Sequence, residues 1–142
     1  MTRLTRRGAL GFGVAGLGAA ACTTTGEGGS YTGKAAFGHG VASGDPTQTA
    51  VILWTRITPE TPGPVPVLWN IARDAAMKDV VKTGTFTTGP ERDYTVKVDV
   101  DGLEAGQVYY FWFSAGQAAS PVGVTRTLPA SDVIRSVKIT LT

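Results

Sequence analysis

Hydrolytic and metal chemistry needs imidazole, thiol, carboxylate or an activated hydroxyl gathered at one point, and this sequence is thinly supplied with them. Its 142 residues hold one histidine, His39, and one cysteine, Cys22. A transition-metal site takes about four nitrogen, sulfur or oxygen ligands, often His and Cys; His39 has no such set to join and reads as structural. Asp45 stands before Pro46 and reads as a turn former whose carboxylate bonds nearby amides. A calcium site would need about six oxygens at one point. Asp93, Asp99 and Asp101 fall mostly at outward positions of one strand pattern and read as a solvated face. No nucleophile elbow, phosphate-binding loop or His-Glu-x-x-His pattern occurs. The aromatic residues Trp54, Trp69, Tyr109, Tyr110, Phe111, Trp112 and Phe113 suit either a sugar or lipid platform or packing within and between domains. Packing is the simpler reading, since buried rings carry a large share of a small core.

The N-terminal residues carry a different chemistry. Thr5-Arg6-Arg7-Gly8-Ala9-Leu10 resembles a twin-arginine export signal, with Ala9 where that pattern prefers Phe. The weakly apolar stretch Gly8 to Ala21 is 14 residues long. It falls short of the roughly 20 that span a membrane. It fits a signal peptide's apolar region, with Ala19-Ala20-Ala21 at its end. Residues 1–22 are therefore expected to be a signal peptide, with Arg6 and Arg7 addressing the export machinery. The destination would be the periplasm, the cell surface or the medium. Cys22 leaves two readings open: a lipid anchor on its thiol, or cleavage after Ala21. As the only cysteine it forms no internal disulfide. Residues 23–36, polar and glycine-rich, are expected to be a flexible linker.

The formal charge of +2 owes much to that leader, which holds Arg3, Arg6 and Arg7. Without them ten basic residues face 11 acidic ones. No basic stripe remains, so nucleic acid is not an expected partner.

The elements that position these residues read as strands. Hydrophobic residues make up 42% of the chain, enough for one small core, and glycine occurs 19 times. Ala50 to Arg56 is the first clear strand, ended by the proline-rich Thr58 to Pro64. Val65, Val67, Trp69 and Ile71 alternate onto one face of a second. Asp74 to Asp79 reads as a connection with one helical turn, and Val80 to Phe86 as a strand. Tyr94, Val96, Val98 and Val100 alternate with polar residues as in a half-buried antiparallel strand. Gln107 to Ala115 is apolar on both faces and belongs in the middle of a sheet. Val122 to Leu128 closes the domain. About seven strands at this spacing predict an all-β, antiparallel sandwich. Two details sharpen it to fibronectin type III-like. Trp54 ends its strand where that fold often keeps a core tryptophan, and Leu103 to Tyr109 has the spacing of a tyrosine corner.

His39-Gly-Val-Ala-Ser-Gly-Asp-Pro46, Val51 to Pro59 (VILWTRITP), Glu91 to Leu103 (ERDYTVKVDVDGL) and Val122 to Thr127 (VGVTRT) carry a resemblance. Together they resemble the N-terminal domain of the alkaline phosphatase D family. These are secreted, metal-dependent phosphomonoesterases and phosphodiesterases, some known as phospholipase D. The resemblance implies a fibronectin-like domain over residues 37–130. It also implies the start of a missing catalytic metallophosphoesterase domain over 131–142, where Val133, Val137, Ile139 and Leu141 share one strand face. Iron and calcium are implied for that catalytic domain, whose first metal-ligand motif, a Ser-Cys pair, would follow. No cofactor is expected in this chain. The expected role is a non-catalytic accessory domain, truncated or encoded as a fragment. One alternative is a stand-alone secreted sandwich that binds a partner or glycan, which needs an exposed aromatic patch. Another is an enzyme in its own right, for which no candidate site is visible.

Overall fold

Residues 31–131 are described in the computed structural model. Among them, β-branched and aromatic residues in alternation form ten strands: β1 (Ala35–Ala36), β2 (Val41–Gly44), β3 (Val51–Arg56), β4 (Thr58–Pro59), β5 (Val65–Ala72), β6 (Val80–Thr88), β7 (Thr95–Val100), β8 (Val108–Ala115), β9 (Ala118–Ala119) and β10 (Gly123–Arg126). A single 3-10 turn, Pro90–Arg92, lies between β6 and β7. The residues expected to hold the export signal, Arg6 and Arg7, the anchoring-or-cleavage position Cys22 and the strand expected over 133–141 lie outside the described residues.

The strands pair antiparallel in two layers. One is β2-β3-β7; the other is β10-β8-β5-β6, with β9 paired to β8. The short β1 and β4 pair by themselves. The inward positions of both layers meet in one core. Val51, Leu53, Val96 and Val100 come from the first layer and Val67, Ile71, Phe111 and Phe113 from the second, all buried. Removing each such side chain from water stabilises the fold by about 1.5–3 kcal/mol. The Phe111 and Phe113 rings meet edge to face, with centroids 6.2 Å apart at 85°. The chain is thus an antiparallel, fibronectin type III-like β-sandwich. β8 runs between β10 and β5, and its two apolar faces suit that central place.

The structure departs from the sequence expectations at several points. Val41–Gly44 is a strand, paired through Ala42 to Trp54 and Gly44 to Ile52; its small residues and glycines hide it in the sequence. Thr58–Pro59, expected only to break the chain, pairs with Ala35–Ala36. Proline fits there because β4 has a partner on one side only. The fold therefore reaches back into the stretch expected as linker, and Phe37 is buried against the core. Residues 73–79 contain no helical turn. The Asp74 carboxylate instead accepts from the amides of Asp79 at 2.6 Å and Lys78 at 2.9 Å. Nor does Asp45 organise its turn by its side chain; the Thr47 hydroxyl accepts from the Ala50 amide at 2.9 Å.

Trp54 is the main correction. Val51, Leu53 and Thr55 point inward, so Trp54 lies half-buried on the outer face of β3, between Ala42 and Lys97 in the ladder. The inward place beside it belongs to Thr55. Its hydroxyl, fully buried, donates to the Gly40 carbonyl at 2.8 Å. A buried hydroxyl with such a partner costs little, and it ties the His39-Gly40 segment to β3.

Candidate functional site

Three arrangements bring together the residues singled out by type or spacing. The first is polar. Arg56 stands at the end of β3 on its outward side. Its Nε donates to the Asp93 carboxylate at 3.1 Å, its Nη2 donates to the same group at 2.8 Å, and its Nη1 donates to His39 Nε2 at 2.7 Å. Arg56 Nε also reaches the Asp93 carbonyl at 3.1 Å. Asp93 is placed by the 3-10 turn before it. Both Asp93 and Tyr94 have left-handed backbone, at φ 51° and 56°. Such angles in non-glycine residues cost energy and persist where surroundings enforce them. The two-pronged guanidinium bond on Asp93 does that here. The Arg56 bond holds the Asp93 carboxyl below the ordinary carboxylate range, partly opposed by desolvation, and raises the Arg56 pKa in turn. Asp93 belongs to the turn before β7, so it is not part of the solvated strand face expected for it. Asp99 is exposed on β7, and Asp101 pairs with Lys82 at 2.6 Å.

The second arrangement closes the end of the sandwich. The Tyr109 hydroxyl accepts from the Glu104 amide at 2.9 Å, and Leu103 is buried beside it. Thr127 Oγ1 donates to the Glu104 carbonyl at 2.6 Å and accepts from the Gln107 amide at 3.1 Å. This fixes the crossover into β8 against the segment that follows β10. Trp69, on β5, covers the core edge opposite Gly84 of β6.

The third is an apolar surface. Of the aromatic run on β8, Tyr109, Phe111 and Phe113 are buried, while Tyr110 and Trp112 are half-buried on the outer face. Val108, Val122, Val124 and Leu128 are exposed.

None of these arrangements assembles a reacting centre. His39 receives a guanidinium hydrogen bond and faces no hydroxyl or thiol nucleophile. Among the described residues no three of His, Cys, Asp and Glu gather where they could hold a cation, and every buried side-chain polar atom has a hydrogen-bond partner. The donors among the described residues thus form no set that fits iron or calcium, the metals the family resemblance implies for the catalytic domain. The Arg56–Asp93 pair escaped sequence reading. Its signal lies in the register of β3 against β7, which sets Thr95 opposite Arg56 and which neither strand's own sequence shows.

Comparison with known proteins gives this geometry a family. The family described as PhoD-like phosphatase, N-terminal domain, matches residues 21–129. Alkaline phosphatase D of Bacillus subtilis (strain 168) is 44% identical over 101 residues, which cover 66% of this chain and 17% of that protein. A solved structure of PhoD superposes with a TM-score of 0.64 at 42% identity, covering 72% of this chain and 20% of that one. The sensor domain of the anti-sigma factor RsgI4 from Pseudobacteroides cellulosolvens shares the fold alone, at 13% identity and a TM-score of 0.50, covering 69% of this chain and 96% of its own. The chain spans about a fifth of the length of the curated relative and of the PhoD structure it matches. By its matched residues and its sandwich, the chain belongs to the PhoD-like phosphatase N-terminal domain family.

Proposed function

We propose that this chain is the non-catalytic N-terminal accessory domain of an exported, alkaline phosphatase D-like metallophosphoesterase. It packs against the catalytic domain and helps shape that domain's site. The observation that carries this reading is the extent of the match. The family match ends at residue 129, the alignment with the curated relative covers 17% of that protein, and the described residues gather no set of metal donors. Phosphate-ester hydrolysis of this class needs a coordinated ion to make a nucleophile and neutralise developing charge. Those ions, iron and calcium by family resemblance, would belong to the region beyond this chain. Export and the choice at Cys22 between lipid anchoring and cleavage form part of the same proposal.

The test is a chromogenic phosphate-ester assay on purified residues 23–142. It is run with and without added iron and calcium, beside a protein in which these residues are joined to the catalytic region of the relative. The short form is expected to hydrolyse neither monoesters nor diesters, and the joined form to turn over. Metal-dependent turnover by the short form would end the accessory-domain reading, because its described residues gather no set of donors for the ion.

A further inference from the structure

The outer face of the larger sheet is apolar on the side where the chain leaves it. Val108, Val122, Val124 and Leu128 are 41%, 47%, 60% and 44% exposed, with Tyr110 and Trp112 half-buried among them. Register sets Val124 opposite Tyr110 and Arg126 opposite Val108. Arg126 is the one charged side chain at the outward positions of β10, β8 and β5. Farther across the sheet, β6 turns Thr83, Thr85 and Thr87 outward. The patch thus runs across β10 and β8 onto β5, where Leu68 is 39% exposed, is bounded there by the threonines of β6, and continues along Leu128 toward Ser131. The outer face of the other layer is different, carrying Arg56, Lys97 and Asp99 around Trp54. Contiguous exposed apolar surface of this kind marks a docking site more often than a free surface.

We infer that the β10–β8 outer face docks the region that follows residue 131 in the longer relatives. This rests on the accessory-domain reading and adds to it the face that is used. The occupant is indicated by continuity. The family match stops at residue 129, on the segment that prolongs edge strand β10, and the relatives carry most of their length beyond the part this chain covers. A following domain is therefore tethered beside Tyr110 and Trp112. A short tether gives an effective concentration on the order of millimolar, so modest apolar area suffices to hold the contact. Arg126 sets the partner's chemistry. A guanidinium closed off from water needs a counter-charge, so the docking face is apolar with a carboxylate opposite Arg126.

Hydroxyl-radical footprinting tests the face with an internal control. The 142-residue chain is compared with a full-length protein in which it replaces the matched part of the Bacillus subtilis relative. Oxidation of Tyr110 and Trp112 is expected to be largely lost in the full-length protein, with Trp54 on the opposite layer unchanged. Equal oxidation of Trp112 in both proteins, or protection of Trp54 in its place, overturns the proposal. Turnover by the short chain would instead strike the accessory-domain reading and leave the footprint to speak for the face alone. Should the joined protein fail to fold, the 142-residue chain still decides. Val122→Lys with Val124→Lys should leave its unfolding midpoint unchanged while abolishing binding of an apolar fluorescent dye. Unfolding caused by these two lysines would mean the face is already covered within the chain, and would overturn the proposal.

Discussion

The Tyr109 hydroxyl is held where only the Glu104 amide needs it, 2.9 Å away in a residue 1% exposed. Tyr109→Phe keeps the ring and removes the acceptor, so the Glu104 N–H loses its partner. We expect the change to lower stability by about 1–3 kcal/mol, measured by urea unfolding; a change near zero would show that the hydroxyl holds nothing. The Leu103 to Tyr109 spacing made this contact legible in the sequence, because the corner is local. The Arg56–Asp93 pair spans 37 residues and was not legible, since it depends on the register of β3 against β7. It also has a pH signature. Arg56 depresses the Asp93 pKa in the folded state, so the pair's contribution is full above the ordinary carboxylate value, about 3.9. That contribution is lost as pH falls through the lower folded value. Asp93 is 75% exposed, so water and salt screen the pair and the effect is small. Asp93→Asn should flatten the acid limb of stability against pH at low salt, and an unchanged limb would mean that the pair contributes nothing to it.

Strands were legible where one face is apolar and the other polar. In β7, Val96, Val98 and Val100 alternate with Lys97 and Asp99, and the burial follows that order. In β3 the alternation is lost, because Ile52 and Trp54 put apolar bulk on the outer face as well. Parity there is set by pairing on both sides and by the buried Thr55–Gly40 bond, neither visible in a single strand's sequence. β2 was missed for a related reason: Ala42 and Gly44, opposite Trp54 and Ile52, leave those side chains room on the outer face, and small residues carry little strand signal. The β5–β6 pair uses a glycine in the opposite way. Trp69 lies across Gly84, and a Cβ added there would sit 2.6 Å from Trp69 Cζ2 and 2.7 Å from Cε2. The ring would have to leave its place at the core edge. Gly84→Ala should therefore cost about 1–3 kcal/mol as overpacking, despite alanine's better backbone entropy. The cost should largely disappear in a Trp69→Ala background, since contacting residues couple. An equal cost in both backgrounds would assign it to the strand backbone and not to the indole.

Over the whole molecule, the sandwich class followed from turn spacing, whereas the division into two layers did not. β3 pairs with β7 and β5 with β8, each across some forty residues of chain, and local pattern says nothing about which strands meet. Such non-local pairing also makes folding slow relative to helical domains. The sheet β10-β8-β5-β6 is complete only once its last strand has been made. A domain of this kind suits a route that carries folded cargo, which is what the twin-arginine signal expected at Arg6 and Arg7 would address. Export by that route is therefore the prediction at this scale. Replacing Arg6 and Arg7 together by lysine keeps both charges and removes the paired guanidinium groups, whose planar forks lysine does not reproduce. The variant should accumulate folded in the cytoplasm, while the parent chain appears outside the membrane with a shortened N-terminus. Mass measurement of the exported parent separates the two outcomes at Cys22, because a diacylglyceryl adduct marks an anchor and a free N-terminus near residue 22 marks plain cleavage. Undiminished delivery of the lysine variant would rule out the twin-arginine route. A domain with these pairings would then have to cross unfolded and form both layers on the far side.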